Sequence, residues 1–242
     1  EEIFVKGEDC SSWTQAATEK KVDGLLKILL STEGTVFLLP GYVSELQSLL
    51  RKLKRAAWAM AGHIRENGWT VVGTEYGAKG KLGNQDVEGS VDLLLGKSDG
   101  TLAVVDLKWG QSKYLRTNLL ENCAIQLALY AHMLKSKKKM PHVAYFSFSE
   151  AVLIAPDHKA FKSARLAEIP QGESLDTLIV AMGKTFDFRR GQLDCNNIEV
   201  PVAGTIANPA VLIPTDVLVD PEWESDPAEY RALVGWEEGN RA

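Results

Sequence analysis

The sequence predicts an α/β fold in which helices cover a mixed β-sheet. Two long stretches, residues 43–67 and 118–136, carry apolar residues at helical spacing. Three short apolar segments bounded by glycine lie between them, and another strand-like segment follows the second stretch. This order of helix, three strands, helix and strand is typical of one compact α/β domain.

The element boundaries follow from periodicity, glycine and proline. Helices are expected over residues 13–30, 43–67, 118–136 and 174–190. Strands are expected over residues 35–39, 69–76, 87–95, 102–109, 143–148 and 151–155. The Asp99–Gly100 turn favours an antiparallel hairpin between the strands on either side of it.

Length and composition exclude several classes of protein. The chain has 242 residues, of which 45% are hydrophobic and 24% charged, so disordered, collagen-like and coiled-coil interpretations are disfavoured. No stretch approaches the roughly 20 apolar residues of a membrane span. Three cysteines without a C-x-x-C pair disfavour a disulfide framework or structural zinc, and favour a cytoplasmic location. Because the chain begins with Glu1, we expect a processed chain or an excised domain.

The net charge of −5 is unevenly distributed along the chain. Residues 199–242 contain nine acidic and two basic residues, so residues 1–198 carry a net charge of +2. We therefore expect a main domain over residues 1–198 and an acidic C-terminal extension over residues 199–242. A mildly basic body is compatible with local binding of a phosphate backbone.

Three charged residues on two neighbouring predicted strands indicate a chemical site. Side chains alternate along a strand, so Asp106 and Lys108 are expected to share a face, and Asp92 on the adjacent strand is expected to join them. Two neighbouring carboxylates repel unless a cation lies between them, and hard oxygen ligands suit Mg²⁺ or Mn²⁺. A lysine beside such a metal would orient an attacking water or steady charge on a phosphate.

The D-x-K pattern by itself is common on strands, so its surroundings are needed to indicate catalysis. The segment Gly89 to Asp92 precedes it, and the following helix carries Gln126 and Tyr130. The spacing i, i+4 places these two side chains on one helix face.

In its order of residues, this region resembles the PD-(D/E)XK nuclease superfamily, and specifically its RecB-like branch with CRISPR-associated and AddB-type nucleases. That branch shows a Glu before a strand turn, then G-x-x-D, an apolar strand ending in D-x-K, and Q-x-x-x-Y on the next helix. The matching residues are Glu75, Gly89, Asp92, Asp106, Lys108, Gln126 and Tyr130. The resemblance implies a restriction-endonuclease-like core.

The resemblance also implies roles for these residues. The implied catalytic residues are Asp92, Asp106, Lys108, Gln126 and Tyr130, and the implied metal-binding residues are Glu75, Asp92 and Asp106. Lys108 would position the nucleophilic water, and Gln126 and Tyr130 would support the site or contact DNA. Glu75 would be either a further ligand or a group behind the ligands.

Two departures from the branch limit what it implies. Trp109 stands where the branch often has threonine, and three cysteines are too few for an iron–sulfur cluster, so none is expected. Many members place a metal-binding histidine on the helix before the strands. His63 is either that ligand or a histidine at a helix terminus.

The leading hypothesis is an Mg²⁺- or Mn²⁺-dependent DNA nuclease that uses metal-activated water. A loop after the third strand is expected to carry Lys113, Tyr114 and Arg116, of which Lys113 and Arg116 are predicted to contact DNA. The partners expected are single- or double-stranded DNA and a larger helicase, recombination or CRISPR-type assembly, with no membrane. The alternatives are a non-catalytic DNA-binding or scaffold module and a nuclease that acts on RNA.

Overall fold

The computed structural model describes residues 3–136 and 139–196. Its six-stranded sheet has the order β1-β2-β3-β4-β5-β6. The strands are β1 Thr70–Leu82, β2 Gln85–Gly96, β3 Leu102–Lys108, β4 His142–Ser147, β5 Val152–Ala155 and β6 Arg165–Leu166. The pairs β3–β4 and β5–β6 are parallel and the other three pairs are antiparallel. The predicted α/β class, the mixed sheet and the β2–β3 hairpin are confirmed.

The described residues form five α-helices, which flank this sheet or precede and follow it in the chain. They are α1 Gln15–Thr32, α2 Val43–Glu66, α3 Ser112–Leu120, α4 Ile125–Met133 and α5 Leu175–Asp194. Helices α3 and α4 form the crossover that a parallel β3–β4 pair requires. No described helix is both long enough and apolar enough to cross a membrane.

Each face of the sheet is buried by different helices. One buried cluster joins α2 to the sheet and includes Met60, Ile64, Leu93 and Val105. A second cluster joins α3 and α4 to the opposite face and includes Leu94, Val104, Leu119 and Leu127. Because both faces are covered, β2 and β3 contain continuous apolar runs instead of an alternation of apolar and polar residues.

The chain divides into two compact units. The first, Glu1–Ile179, contains the sheet and helices α1 to α4. The second, Val180–Ala242, is described through the remainder of α5 and as far as residue 196. The predicted acidic extension over 199–242 lies outside the described residues.

The strand predicted over residues 35–39 is wrong. Thr35–Leu38 forms a 3-10 turn, in which the N–H of Phe37 donates to the carbonyl of Gly34 at 3.0 Å. Leu38 and Leu39 are exposed, and the segment joins none of the six strands. An apolar, β-branched run does not form a strand without a neighbour to pair with.

The helix predicted over residues 118–136 is wrong as a single element. Asn122 adopts a left-handed conformation with φ +50, and the N–H of Cys123 donates to the carbonyl of Asn118 at 2.7 Å. This conformation ends α3 and allows α4 to start in a new direction. Asparagine adopts it more readily than most residues, and here the Asn122 side chain donates to the Ser174 carbonyl at 3.3 Å.

The loop predicted after β3 is instead helix α3. Ser112 at its first turn is bound by Glu150, which accepts from the Ser112 N–H at 3.0 Å and from its hydroxyl. These hydrogen bonds hold the pKa of Glu150 below its usual value. A carboxylate 38 residues away thus satisfies the helix terminus, and no local sequence signal marks it.

Candidate active site

Strands β2 and β3 separate at the point where Asp92 and Asp106 lie, and we call this point the fork. Their pairing runs from Gly96↔Leu102 to Leu93↔Val105 and stops there, one residue before Asp92 and Asp106. Beyond that point Asp106 is paired only with β4. The Asp92 carboxylate replaces the next hydrogen bond of the ladder, because its Oδ2 accepts from the N–H of Leu107 at 2.7 Å. The fork therefore holds one carboxylate from each strand.

Asp106 is a buried carboxylate that has an ion-pair partner but no hydrogen-bond donor among the described residues. Its side chain is 0% exposed, and no donor in the described residues makes a hydrogen bond to either of its oxygens. The Lys108 ammonium lies 2.9 Å from Oδ2, an ion pair without hydrogen-bond geometry. Burial raises the pKa of Asp106, the close contact with the charged Lys108 side chain lowers it, and the nearby Asp92 raises it again. A buried anion in this state attracts a further cation.

Lys108 is held at the fork by two residues of α4. Its Nζ donates to Oε1 of Gln126 at 2.8 Å, and Nε2 of Gln126 donates to the Tyr130 hydroxyl oxygen at 2.9 Å. Gln126 and Tyr130 lie on one face of α4, as their i, i+4 spacing predicts. The structure thus brings Asp92, Asp106, Lys108, Gln126 and Tyr130 together in one connected group.

Gly89 has a steric role beside this group. A Cβ atom at Gly89 would lie 2.9 Å from Cε1 of Tyr130, closer than carbon atoms approach in proteins. The glycine of the G-x-x-D segment therefore lets the Tyr130 ring pack directly on the β2 backbone.

Gly89→Ala is expected to displace Tyr130 and, through Gln126, the Lys108 ammonium. We expect about 1–3 kcal/mol lower stability from overpacking, with a loss of activity of about 10-fold that follows from the misplaced lysine. Thermal unfolding and cleavage rates measure both effects. Gly77→Ala is the matched control, since a Cβ there meets nothing within 4 Å. Equal effects of the two substitutions would contradict the packing role of Gly89.

Glu75 lies near the fork without completing a metal cluster. The β1–β2 register, with Thr74↔Leu93 and Tyr76↔Val91, places it across from Asp92. It is exposed, has φ +46, and its Oε2 accepts from the Ser90 hydroxyl at 2.7 Å. In the described part of the chain, no three His, Cys, Asp or Glu side chains converge as a metal site. Asp92 and Asp106 are therefore the two carboxylates that the fork itself supplies.

His63 lies on the other side of the sheet. Its ring packs edge-on against Phe161, a member of the buried cluster under α2, and its Nδ1 is 3.2 Å from the Ser163 hydroxyl. Burial lowers the pKa of His63. Asp106 and Lys108 face α4 instead. The structure does not bring His63 to the aspartate pair.

Sequence reasoning missed Tyr145, which pairs with Asp106 across the parallel β3–β4 ladder. Its pKa is raised to about 12, first by burial and then by the Asp106 charge. It therefore stays neutral and adds no charge to the fork. A tyrosine on a buried strand carries no sequence signal that separates it from ordinary core.

Lys113 and Arg116 lie on α3, on the same side of the sheet as the fork. Both are exposed, and Nε of Arg116 donates to the carbonyl of Leu166 at 3.3 Å. Helix α3 begins at Ser112, shortly after Lys108 ends β3. Their cationic side chains are therefore carried by a rigid element beside the site and not by a flexible loop.

The fold and the fork agree with a comparison against known protein families. The PD-(D/E)XK nuclease superfamily matches residues 5–195 of the chain. The chain belongs to this superfamily, and membership implies a nuclease, a hydrolase of phosphodiester bonds. A comparison with curated proteins finds no significant match.

Nucleases of this superfamily typically use divalent metal ions, and the residues of the fork fit such an ion. Asp106 offers two buried carboxylate oxygens that accept no hydrogen bond from the described residues, one of them 2.9 Å from the Lys108 ammonium, and Asp92 offers the oxygen that Leu107 does not engage. Hard carboxylate oxygens of this kind are the ligands that Mg²⁺ and Mn²⁺ prefer.

Proposed function

We propose that this protein is an Mg²⁺- or Mn²⁺-dependent DNA nuclease of the RecB-like type. The observation that carries the proposal is Asp106, a fully buried carboxylate that accepts no hydrogen bond from the described residues and lies beside Asp92 and the Lys108 ammonium. Two acids on one rigid face can hold a metal that assists phosphodiester hydrolysis, and the lysine beside them can orient the attacking water or steady charge on the phosphate.

In this proposal each residue of the fork has one task. Asp92 and Asp106 hold the cation, with Glu75 as a further ligand or a support near the site. When bound, the metal polarises the phosphoryl oxygen and lowers the pKa of water. Lys108 orients the attacking water. The water oxygen bonds to phosphorus and its proton passes to solvent, while the scissile P–O bond breaks and the leaving oxygen takes a proton from solvent. Gln126 and Tyr130 position Lys108 through their hydrogen bonds.

The wider setting follows from the same proposal. Residues 1–198 would form the nuclease domain and residues 199–242 an acidic extension. The domain would act in the cytoplasm, in DNA recombination, repair, CRISPR-associated or phage-related processing, within a larger helicase or recombination assembly. No iron–sulfur cluster is part of the proposal.

The test is cleavage of end-labelled linear DNA, single-stranded and double-stranded, in Mg²⁺, Mn²⁺ or EDTA. We expect cleavage with metal and none in EDTA, and the product lengths report exonuclease or endonuclease action. Binding of DNA without cleavage in any metal would support the non-catalytic scaffold instead. Cleavage of RNA alone would overturn the DNA assignment.

The exposed cations of α3 give a separate prediction. Lys113→Gln combined with Arg116→Gln is expected to weaken DNA binding by a similar factor for all sequences. It should also lower the slope of log K against log salt by about 1 for each phosphate that the side chains no longer neutralise. Fluorescence anisotropy at several salt concentrations measures both. Lys79→Gln, which removes an exposed lysine paired with Glu88 on the β1–β2 hairpin, is the control. An unchanged salt slope would remove these two residues from the DNA interface.

A further inference from the structure

An exposed tryptophan lies at the strand end that carries Lys108, with its ring on the α2 side of the sheet and therefore on the face opposite the fork. Trp109 follows Lys108 in the chain, so their Cα atoms are about 3.8 Å apart. Its side chain is 49% exposed, although tryptophan is usually well buried. The Trp109 backbone thus continues directly from the proposed catalytic lysine, and its half-exposed ring borders the same strand end from the other face of the sheet.

The ring is supported from below by other aromatic side chains. Trp109 stacks on Phe148 at 6.5 Å between ring centroids and 25° between planes. Phe148 in turn packs edge-on against the fully buried Phe146 at 5.6 Å. The indole is thereby tied to the core under α2 and keeps its orientation without a ligand.

The backbone under the ring is also fixed. The Gly110 carbonyl accepts from the hydroxyls of Ser147 at 2.7 Å and Ser149 at 3.2 Å. The N–H of Phe148 donates to the Lys108 carbonyl at 2.8 Å. These bonds join the turn after β3 to the turn after β4, so Trp109 is held as rigidly as the strand end itself.

A cationic side chain accompanies the ring. Nζ of Lys52, from α2, lies 5.8 Å from the Trp109 centroid. Among the described residues Lys52 forms no ion pair. Its flexible side chain is free to move toward a phosphate. Arg55, one helical turn further on, donates to the Ser149 carbonyl at 3.0 Å and adds positive charge at the same edge.

We propose that Trp109 is a nucleobase-stacking subsite, which holds one base of single-stranded DNA while Lys52 contacts a neighbouring phosphate. This inference rests on the proposed nuclease function and specifies its substrate. Every nucleobase has a π-face, so the indole face that Phe148 does not cover would bind bases without regard to sequence, with the Lys52 ammonium moving from the ring to the backbone. A base inside a duplex is already stacked on both sides, and thus only an unpaired base offers a face to Trp109.

The test is binding of a fluorescently labelled oligodeoxythymidylate in EDTA, which prevents metal-dependent cleavage. Trp109→Ala is expected to weaken binding by about 5- to 100-fold, the range for removal of one base–aromatic stack. Trp109→Phe should retain most of the affinity, and Tyr42→Ala, which removes another exposed aromatic ring far along the chain from the fork, should change nothing. Melting temperatures show that each variant is folded.

Abasic nucleotides, placed one at a time along the oligonucleotide, separate stacking from a general structural effect. In wild type, one position should be sensitive to loss of its base, and that sensitivity should vanish in Trp109→Ala. Undiminished sensitivity in the variant, or unchanged binding of the variant, would overturn the subsite. So would Trp109-dependent binding of blunt duplex as tight as that of single strands.

The outcomes also separate this inference from the function on which it rests. Metal-dependent cleavage by wild type that Trp109→Ala leaves intact on single strands would remove the subsite alone. A wild-type protein that neither binds nor cleaves DNA would remove both.

Discussion

Lys108→Ala is expected to lower the rate of DNA cleavage by about 10²- to 10³-fold, the typical effect of removing a preorganised electrostatic group from an active site. The ammonium is 2.9 Å from Asp106 Oδ2 and 2.8 Å from Gln126 Oε1, and the substitution removes this positive charge from the fork. Binding of DNA and of metal should persist, because both carboxylates of the fork remain. Single-turnover cleavage measures the chemical step separately from binding.

The matched control for this variant is Lys79→Ala, which removes an exposed lysine from the β1–β2 hairpin. It should cleave at the wild-type rate. If Lys108→Ala cleaved as fast as the control, Lys108 would have no catalytic role and the fork would not be the active site. A circular dichroism spectrum like that of wild type shows that the variant is folded.

Asp106→Asn is expected to abolish cleavage, by about 10³-fold or more, and yet to stabilise the metal-free protein. The decrease in activity follows from the removal of a metal ligand. The stabilisation follows because burial and the nearby Asp92 raise the pKa of Asp106 despite its ion pair with Lys108, and a neutral amide carries no such penalty. A gain of about 1 kcal/mol corresponds to a melting temperature about 2–4 °C higher for a chain of this size.

The gain in stability has a defined dependence on pH. The folded-state pKa of Asp106 is raised above its ordinary value of 3.8, so the unfolded chain gives up the proton more easily. The contribution of Asp106 to the stability of wild type is thus lost as the pH rises from about 3.8 through the raised folded-state pKa. The advantage of Asp106→Asn should grow over the same interval and be absent below it.

Asp99→Asn is the matched control, because the pKa of Asp99 is lowered whereas that of Asp106 is raised. Asp99 accepts from the N–H of Thr101 at 2.8 Å, and this bond lowers its pKa. Its neutralisation should therefore leave stability unchanged or lower. Mn²⁺ should raise the melting temperature of wild type and of Asp99→Asn but not that of Asp106→Asn. A melting temperature for Asp106→Asn below that of wild type in EDTA would contradict the role assigned to Asp106.

The sequence was sufficient to predict which side chains meet at the fork, because strand geometry has a strict period. Alternation places Asp106 and Lys108 on one face, and helical spacing places Gln126 and Tyr130 on another element of the same region. The position of Asp92 beside Asp106 is predicted from the Asp99–Gly100 turn, which sets the β2–β3 hairpin. Each of these relations is local in sequence.

Relations between distant residues could not be predicted. Glu150 binds the first turn of α3 from 38 residues away, so Lys113 and Arg116 were expected in a loop. His63 was a possible ligand until its packing against Phe161 placed it across the sheet. The positive φ of Asn122 divided a continuous apolar pattern into two helices. Tertiary contacts decided all three, and a periodic pattern does not contain them.

The most direct test of the proposed site is the cleavage rate of labelled single-stranded DNA as a function of Mn²⁺ concentration, measured for wild type, Asp106→Asn and Lys108→Ala. We predict a saturable, Mn²⁺-dependent rate for wild type. Asp106→Asn should lose the dependence on Mn²⁺, and Lys108→Ala should keep the half-saturating concentration at a much lower maximal rate. Equal rates in all three proteins, or a wild-type rate unaffected by Mn²⁺ or EDTA, would contradict the assignment of the fork as a metal-dependent nuclease site.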